Sequence, residues 1–242
     1  MDELISYNQK KMLDNYIQNN LLFDLLLKEN YKVITLSHLF NNGMVHQLNR
    51  RNRSYYYWEI TKGSIYFPFI YKSIDMLSNY KDSKLKSQMD YYSYSAKLPI
   101  VLDSVVNNTI GPKFVYAHFM VTHPPYVFNT DGTFKYHDND QASVSEYIEQ
   151  VKILNGQLTT IIDSILKRNA SNSVIIVQAD HGSHLLNVNE TFTIQNNYYF
   201  PDLDYTLLKQ NTSPVNSFRI ILNKYFGQQL PLLEDKSIRV NY

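Results

Sequence analysis

The chain has no cysteine, which removes disulfide frameworks and thiolate metal sites from consideration and fits any redox compartment. It has no apolar run of transmembrane length, and its start, Met1-Asp2-Glu3-Leu4-Ile5, lacks the basic and apolar regions of a signal peptide. Charge of one sign is also missing: a formal net charge of +1 gives no global attraction to nucleic acid or to an anionic membrane. Arg50, Arg51 and Arg53, followed by Tyr55, Tyr56, Tyr57 and Trp58, interleave basic and stacking residues as single-strand binders do. No glycine-rich or repeated context accompanies them, so a surface turn entering an aromatic element is the better reading, and no nucleic-acid partner is expected. There is no internal repeat and no linker that splits the chain. What is present is ordinary globular material: 242 residues, 44% hydrophobic, with 21 Tyr and 12 Phe, enough for one sizeable domain with a core.

Helical and strand patterns alternate, as in a layered α/β domain. Apolar residues at Met12, Tyr16, Leu21, Leu22, Leu25, Leu26 and Leu27 predict an amphipathic helix over 8–30, feeding a strand over 31–36. Residues 41–96 are the least legible, with short helices expected around 70–77 and again after Lys84. Residues 114–120 read as a strand that runs into Val121-Thr122-His123-Pro124-Pro125-Tyr126, where the prolines forbid regular structure and fix a loop. Asp131-Gly132 has turn chemistry favouring positive φ. Ser143-Val144-Ser145-Glu146 has the form of a capping box, opening a helix with apolar positions Val144, Ile148, Val151, Leu154, Leu158, Ile161 and Ile165. Its apolar face should be buried against a sheet, with Leu158→Ala costing about 2 to 5 kcal/mol. Strand, helix and the next strand should form a right-handed parallel crossover. A further strand is expected over 192–200, then a helix from Ser213-Pro214 through Phe226, ended by Gly227.

The chemistry concentrates at Val174-Ile175-Ile176-Val177-Gln178-Ala179-Asp180-His181-Gly182. The apolar, β-branched run predicts a strand buried on both faces, and ligands of open α/β sheets bind outside the carboxyl ends of such strands. Asp180 and His181 leave the strand there, and a carboxylate oxygen beside an imidazole nitrogen suits a divalent metal of the zinc or manganese type. Alone, the same three residues serve equally as a helix cap, a turn or a satisfied hydrogen-bonded pair. His123 sits at a second strand exit. His184, three residues past His181, is close enough in sequence to approach the same centre but reads better as an exposed loop histidine.

In order along the chain come His123-Pro124-Pro125-Tyr126, then Tyr147-Ile148-Glu149-Gln150-Val151, then Gln178-Ala179-Asp180-His181-Gly182. Pro214-Val215-Asn216-Ser217-Phe218-Arg219 and Leu222-Asn223-Lys224-Tyr225-Phe226-Gly227 follow. This ordered set resembles the sulfatase-like branch of the alkaline phosphatase superfamily. It is most similar to bacterial membrane-anchored sulfatase-like proteins related to lipoteichoic acid synthases and phosphoethanolamine transferases. The resemblance implies an α/β/α sandwich with a mixed, mainly parallel central sheet, spanning 1–242 as a single domain. It implies a metal-dependent hydrolase or transferase of phosphate or sulfate esters, with zinc, manganese, calcium or magnesium as the divalent ion. Carried over by position, Asp180 and His181 match metal ligands, and His123 matches the histidine that contacts the transferred group or its leaving oxygen. Relatives display this domain outside the cytoplasmic membrane, and any membrane attachment would come from a segment absent from this chain.

The departure from the family pattern lies at the front. The family's first acidic ligand and its nucleophilic Thr, Ser or modified Cys precede the helix that resembles 8–30, and Ser6 lacks the helix-opening context of that nucleophile. The domain is therefore expected to be N-terminally incomplete, without the nucleophile strand, and nearly silent as a catalyst by itself. The alternative is a non-catalytic remnant retaining the fold as a binding or interaction module.

Overall fold

The computed structural model describes residues 20–36, 46–48, 55–56, 83–138, 142–185 and 190–236. The arginine cluster at 50–53, the helix expected around 70–77, Ser6, and the first part of the helix expected over 8–30 lie outside the described residues. The chain divides into two compact units, 1–164 and 165–242.

In the first unit, helix α1 (Leu21–Lys28) is opened by Asn20, whose side chain accepts from the Phe23 N–H at 2.9 Å while its own backbone is extended. Among the described residues the helix therefore starts at 21 and is not continuous with Asn20, which corrects the unbroken helix expected there. Its buried Phe23 and Leu26 face inward, with the Phe23 ring 6.0 Å from that of Phe114. Strand β1 (Lys32–Leu36) follows, then β2 (His46–Leu48), β3 (Tyr55–Tyr56), helix α2 (Ser83–Asn108) and strand β4 (Lys113–Ala117).

The sheet order is β3-β2-β1-β4. β1 runs parallel to β4, from Lys32 opposite Lys113 to Leu36 opposite Ala117, and antiparallel to β2. Val33, Ile34, Thr35 and Leu36 are all buried, so β1 is the strand covered on both faces. Ile34 and Leu36 share a core with Leu98, Val101 and Val105 of α2. That packing explains how α2 runs on to Asn108 through Pro99. Proline in a helix interior costs about 3 kcal/mol, whereas burying each large aliphatic side chain contributes about 1.5 to 3 kcal/mol.

Helix α3 (Val144–Asn169) begins with the expected capping box. Ser143 Oγ accepts from the Glu146 N–H at 3.3 Å, and Glu146 Oε2 accepts from the Ser143 N–H at 3.3 Å and hydroxyl at 2.8 Å. Its apolar stripe is less covered than expected. Ile161 and Gln150 are buried, Leu158 is half-buried, and Ile148 is 45% exposed.

In the second unit, β5 (Ile175–Gln178) and β6 (Asn196–Tyr199) pair antiparallel, Ile175 opposite Tyr199 and Gln178 opposite Asn196. The parallel crossover expected from β4 through α3 to β5 is not among the described pairings. β5 and β6 are near in sequence, so their loop closes at little entropic cost. Of the described pairings one is parallel and three are antiparallel, so the described residues do not form a mainly parallel sheet. β5 is also half-buried, with Val174 38% exposed, where burial on both faces was expected.

Helix α4 (Pro214–Tyr225) keeps its expected limits, with extended Ser213 before it, proline in its first turn and Gly227 at φ 62° after it. Ile220 and Ile221 of α4 pack with Phe200, Ile176 and Tyr198 to form the core of this unit. The loop after Phe200 carries Leu203 at φ 54°, between two carboxylates fixed on one cation: Lys224 Nζ is 2.9 Å from Asp202 and 2.6 Å from Asp204.

Candidate active site

His123 stands on a loop that follows β4 and is stitched to two helices. The Tyr91 hydroxyl of α2 donates to the Met120 carbonyl and lies 3.1 Å from that of His123, and the Tyr92 hydroxyl donates to the Gly132 carbonyl at 3.0 Å. Burial, reinforced by Tyr126 and only partly offset by Ser95, pushes the Tyr91 phenol well above its ordinary value, which keeps it a donor. Two buried glutamines act as surrogate strand partners. Gln88 donates to the His137 carbonyl and accepts from the His137 N–H, both at 2.8 Å. Gln150 donates to the Phe128 carbonyl at 2.9 Å and accepts from the Phe128 N–H at 3.3 Å. Val121, Val127 and Phe128 bury between these contacts. The loop is thereby held at both ends while His123 itself stays exposed. Its Nδ1 lies 2.7 Å from the Pro124 carbonyl. A carbonyl only accepts, so this contact assigns the proton to Nδ1 and leaves Nε2 as the acceptor.

Asp180 and His181 leave the end of β5 in the second unit. The Ala179 N–H donates to the Gln195 carbonyl at 2.9 Å and the Gly182 N–H to the Thr191 carbonyl at 2.7 Å, so the turn is pinned by backbone on both sides. Asp180 Oδ1 accepts from the His181 N–H at 2.9 Å. His181 Nδ1 lies 2.7 Å from the Gly182 carbonyl, which again places the proton on Nδ1 and frees Nε2. His181 Nε2 and Asp180 Oδ2 are 3.8 Å apart, on side chains 46% and 79% exposed. That is too long for a hydrogen bond. Two donors on one ion at about 2.1 Å each stand about 3 to 3.5 Å apart, within a small side-chain rotation of this spacing. The pair therefore fits as two ligands of a divalent ion, and His181 is held in the tautomer that metal binding needs. The His184 ring centroid is 4.6 Å from that of His181, so the exposed loop histidine does neighbour the pair. Among the described residues no group of three or more His, Asp or Glu is arranged to hold a metal.

The glutamines that fix the loop were invisible as such in the sequence. Gln150 lies inside the apolar stripe, next to Val151 and four residues before Leu154, and a polar residue on the buried face is the signal that marks it. Gln88 lies in the tract where no periodicity is legible.

A comparison with protein-family models matches residues 14–218 to the family described as Sulfatase. The match covers well over half of the chain and runs through both compact units, and the chain belongs to the sulfatase family. Neither the comparison with curated proteins nor that with solved structures gives a match. No helix among the described residues is long and apolar enough to cross a membrane.

Proposed function

We propose that this protein is a metal-dependent hydrolase or transferase acting on sulfate or phosphate esters, with Asp180 and His181 as metal ligands and His123 as the residue that handles the leaving oxygen. The observation that carries this reading is the Asp180–His181 pair at the end of β5, its imidazole fixed through Nδ1, in a chain of the sulfatase family. When bound, a divalent ion would stabilise charge on the non-bridging oxygens of the ester. The chain's own residues do the rest. Asp180 and His181 would hold that ion, and His123, its Nδ1 committed to Pro124, exchanges a proton at Nε2 with the leaving oxygen. The stitched loop keeps that imidazole in place without spending binding energy on ordering it.

The sandwich architecture, the single domain over 1–242 and the membrane-anchored, extracytoplasmic branch of the family belong to the same proposal. The family match across both units supports the first two, and the ordered motifs support the third. With Asp180 and His181 on the metal and His123 on the leaving oxygen, none of the three serves as the attacking group in this reading. A second reading, a non-catalytic binding module, draws on the two-donor set of the described residues.

The test is an assay of the chain with aryl sulfate and aryl phosphate esters under added zinc, manganese, magnesium and calcium, beside Asp180→Ala and His123→Ala. Slow turnover lost in both variants supports the enzyme. Metal and ester binding with no turnover supports the module, and robust turnover unaffected by Asp180→Ala overturns the site.

A further inference from the structure

A buried polar relay ends at the same strand exit as Asp180. Ser217 of α4 is fully buried, and its hydroxyl lies 2.7 Å from Gln178 Oε1 and 2.7 Å from the Tyr198 hydroxyl. A hydroxyl has one proton and an amide oxygen only accepts, so Ser217 donates to Gln178 and Tyr198 donates to Ser217. The relay has a direction, from Tyr198 through Ser217 to Gln178. Its outer end is the Gln178 amide: Oε1 is occupied on the buried side, while the residue itself is exposed and its Nε2 makes no hydrogen bond among the described residues. The Ala179 N–H bond to Gln195 carries the ladder one residue past β5, and the chain bends at Asp180, two residues beyond Gln178.

We infer that Gln178 is an anion-orienting residue of this site, its amide NH2 donating to a non-bridging oxygen of the bound sulfate or phosphate group. Ser217 is the positioning residue that fixes which way the amide faces. The inference rests on the assignment of Asp180 and His181 as metal ligands. It adds a neutral donor to the cation at the strand exit, which is what a tetrahedral anion with several accepting oxygens requires.

The experiment measures two affinities on the full chain. Mn2+ binding is followed by loss of the free-ion paramagnetic signal, and inorganic sulfate and phosphate binding to the Mn2+-loaded chain by calorimetry. Gln178→Met keeps the length of the side chain and removes both donors; because it also takes the acceptor from buried Ser217, the double variant Gln178→Met with Ser217→Ala, which leaves no Ser217 hydroxyl unpaired, is measured beside it. Both should weaken anion binding by about ten-fold, the effect of losing a hydrogen bond to a charged group, with Mn2+ affinity within about two-fold of the parent. Ser217→Ala should weaken anion binding about three-fold, again with Mn2+ affinity kept. Asp180→Ala should lose Mn2+ binding. If Asp180→Ala loses Mn2+ but Gln178→Met binds both anions like the parent, the role of Gln178 is overturned and the metal assignment stands. If Asp180→Ala binds Mn2+ like the parent, the metal assignment itself falls. Parallel loss of Mn2+ and anion binding in Gln178→Met would make the residue a structural support and also overturn the proposal.

Discussion

Glu146 receives partners from three directions, and the sum decides its charge. Lys135 Nζ and His137 Nε2 each stand 2.9 Å from its Oε1, and Ser143 bonds its Oε2. Burial by itself would raise the carboxyl, but hydrogen bonds from Lys135 and Ser143, with His137 and Lys135 close by, outweigh it and hold the pKa at about 2 against an ordinary 4.5. The folded value is the lower one. Its stabilisation is therefore complete above about pH 4.5 and is lost as pH falls towards about 2. Glu146→Gln keeps the capping geometry and removes the charge. It should cost about 1 to 3 kcal/mol at pH 7 in urea denaturation, with the gap closing as pH falls through that window. A gap that does not change with pH would show that the charge contributes nothing. The Ser-x-x-Glu spacing made the cap legible in the sequence, but the Lys135 and His137 contacts were not, because they depend on a loop conformation that no local pattern specifies.

At the scale of elements, α3 shows where periodicity informs and where it misleads. The capping box and helix follow from sequence, yet the stripe Val151, Leu154, Leu158, Ile161, Ile165 is not uniformly buried, and the fully covered position is Gln150, just ahead of it. Hydropathy ranks residues by transfer free energy and does not register that an amide can replace a missing strand neighbour. Three substitutions separate these contributions in chemical denaturation. Ile161→Ala should cost about 2 to 4 kcal/mol, and half-buried Leu158→Ala only about 0.5 to 1.5 kcal/mol, below the value its place in the stripe suggests. Gln150→Leu should cost about 2 to 3 kcal/mol by leaving the Phe128 N–H and carbonyl without a partner. A larger loss at Leu158 than at Ile161 would contradict this packing. α2 was the reverse case. Its Tyr, Ser and Lys content and Pro99 hide a helix that long-range packing of Leu98, Val101 and Val105 maintains.

For the whole molecule, the order of motifs along the chain carried more than any one element, and the family match bears out the resemblance to the sulfatase family. Strand burial was less legible, since residues 174–177 have the composition of a strand buried on both faces, whereas β5, paired antiparallel with β6 over 175–178, is half-buried. If Asp180 and His181 bind a divalent ion, that ion at about 100 times its Kd should stabilise the fold by about 2.7 kcal/mol. The thermal midpoint of a chain this size should then rise by about 5 to 10 °C. Asp180→Ala should abolish the rise in a calorimetric scan, and an equal rise in the variant would place the binding elsewhere.

The segment after α4 illustrates a different kind of dependence. Asn223 exchanges two hydrogen bonds with Leu230, Arg219 donates to the Pro231 carbonyl, Asn216 exchanges two with Leu233, and Asp235 accepts from Ser213 and Asn216. The tail retraces the helix in reverse, and up to Leu233 the hydrogen bonds that α4 makes with it among the described residues all fall on its main chain. The information that shapes residues 230–233 is thus written largely in α4: drift in the side chains of Leu230, Pro231 and Leu233 would leave these bonds in place, whereas a change at Asn216 or Asn223 would remove the two that each exchanges with the tail.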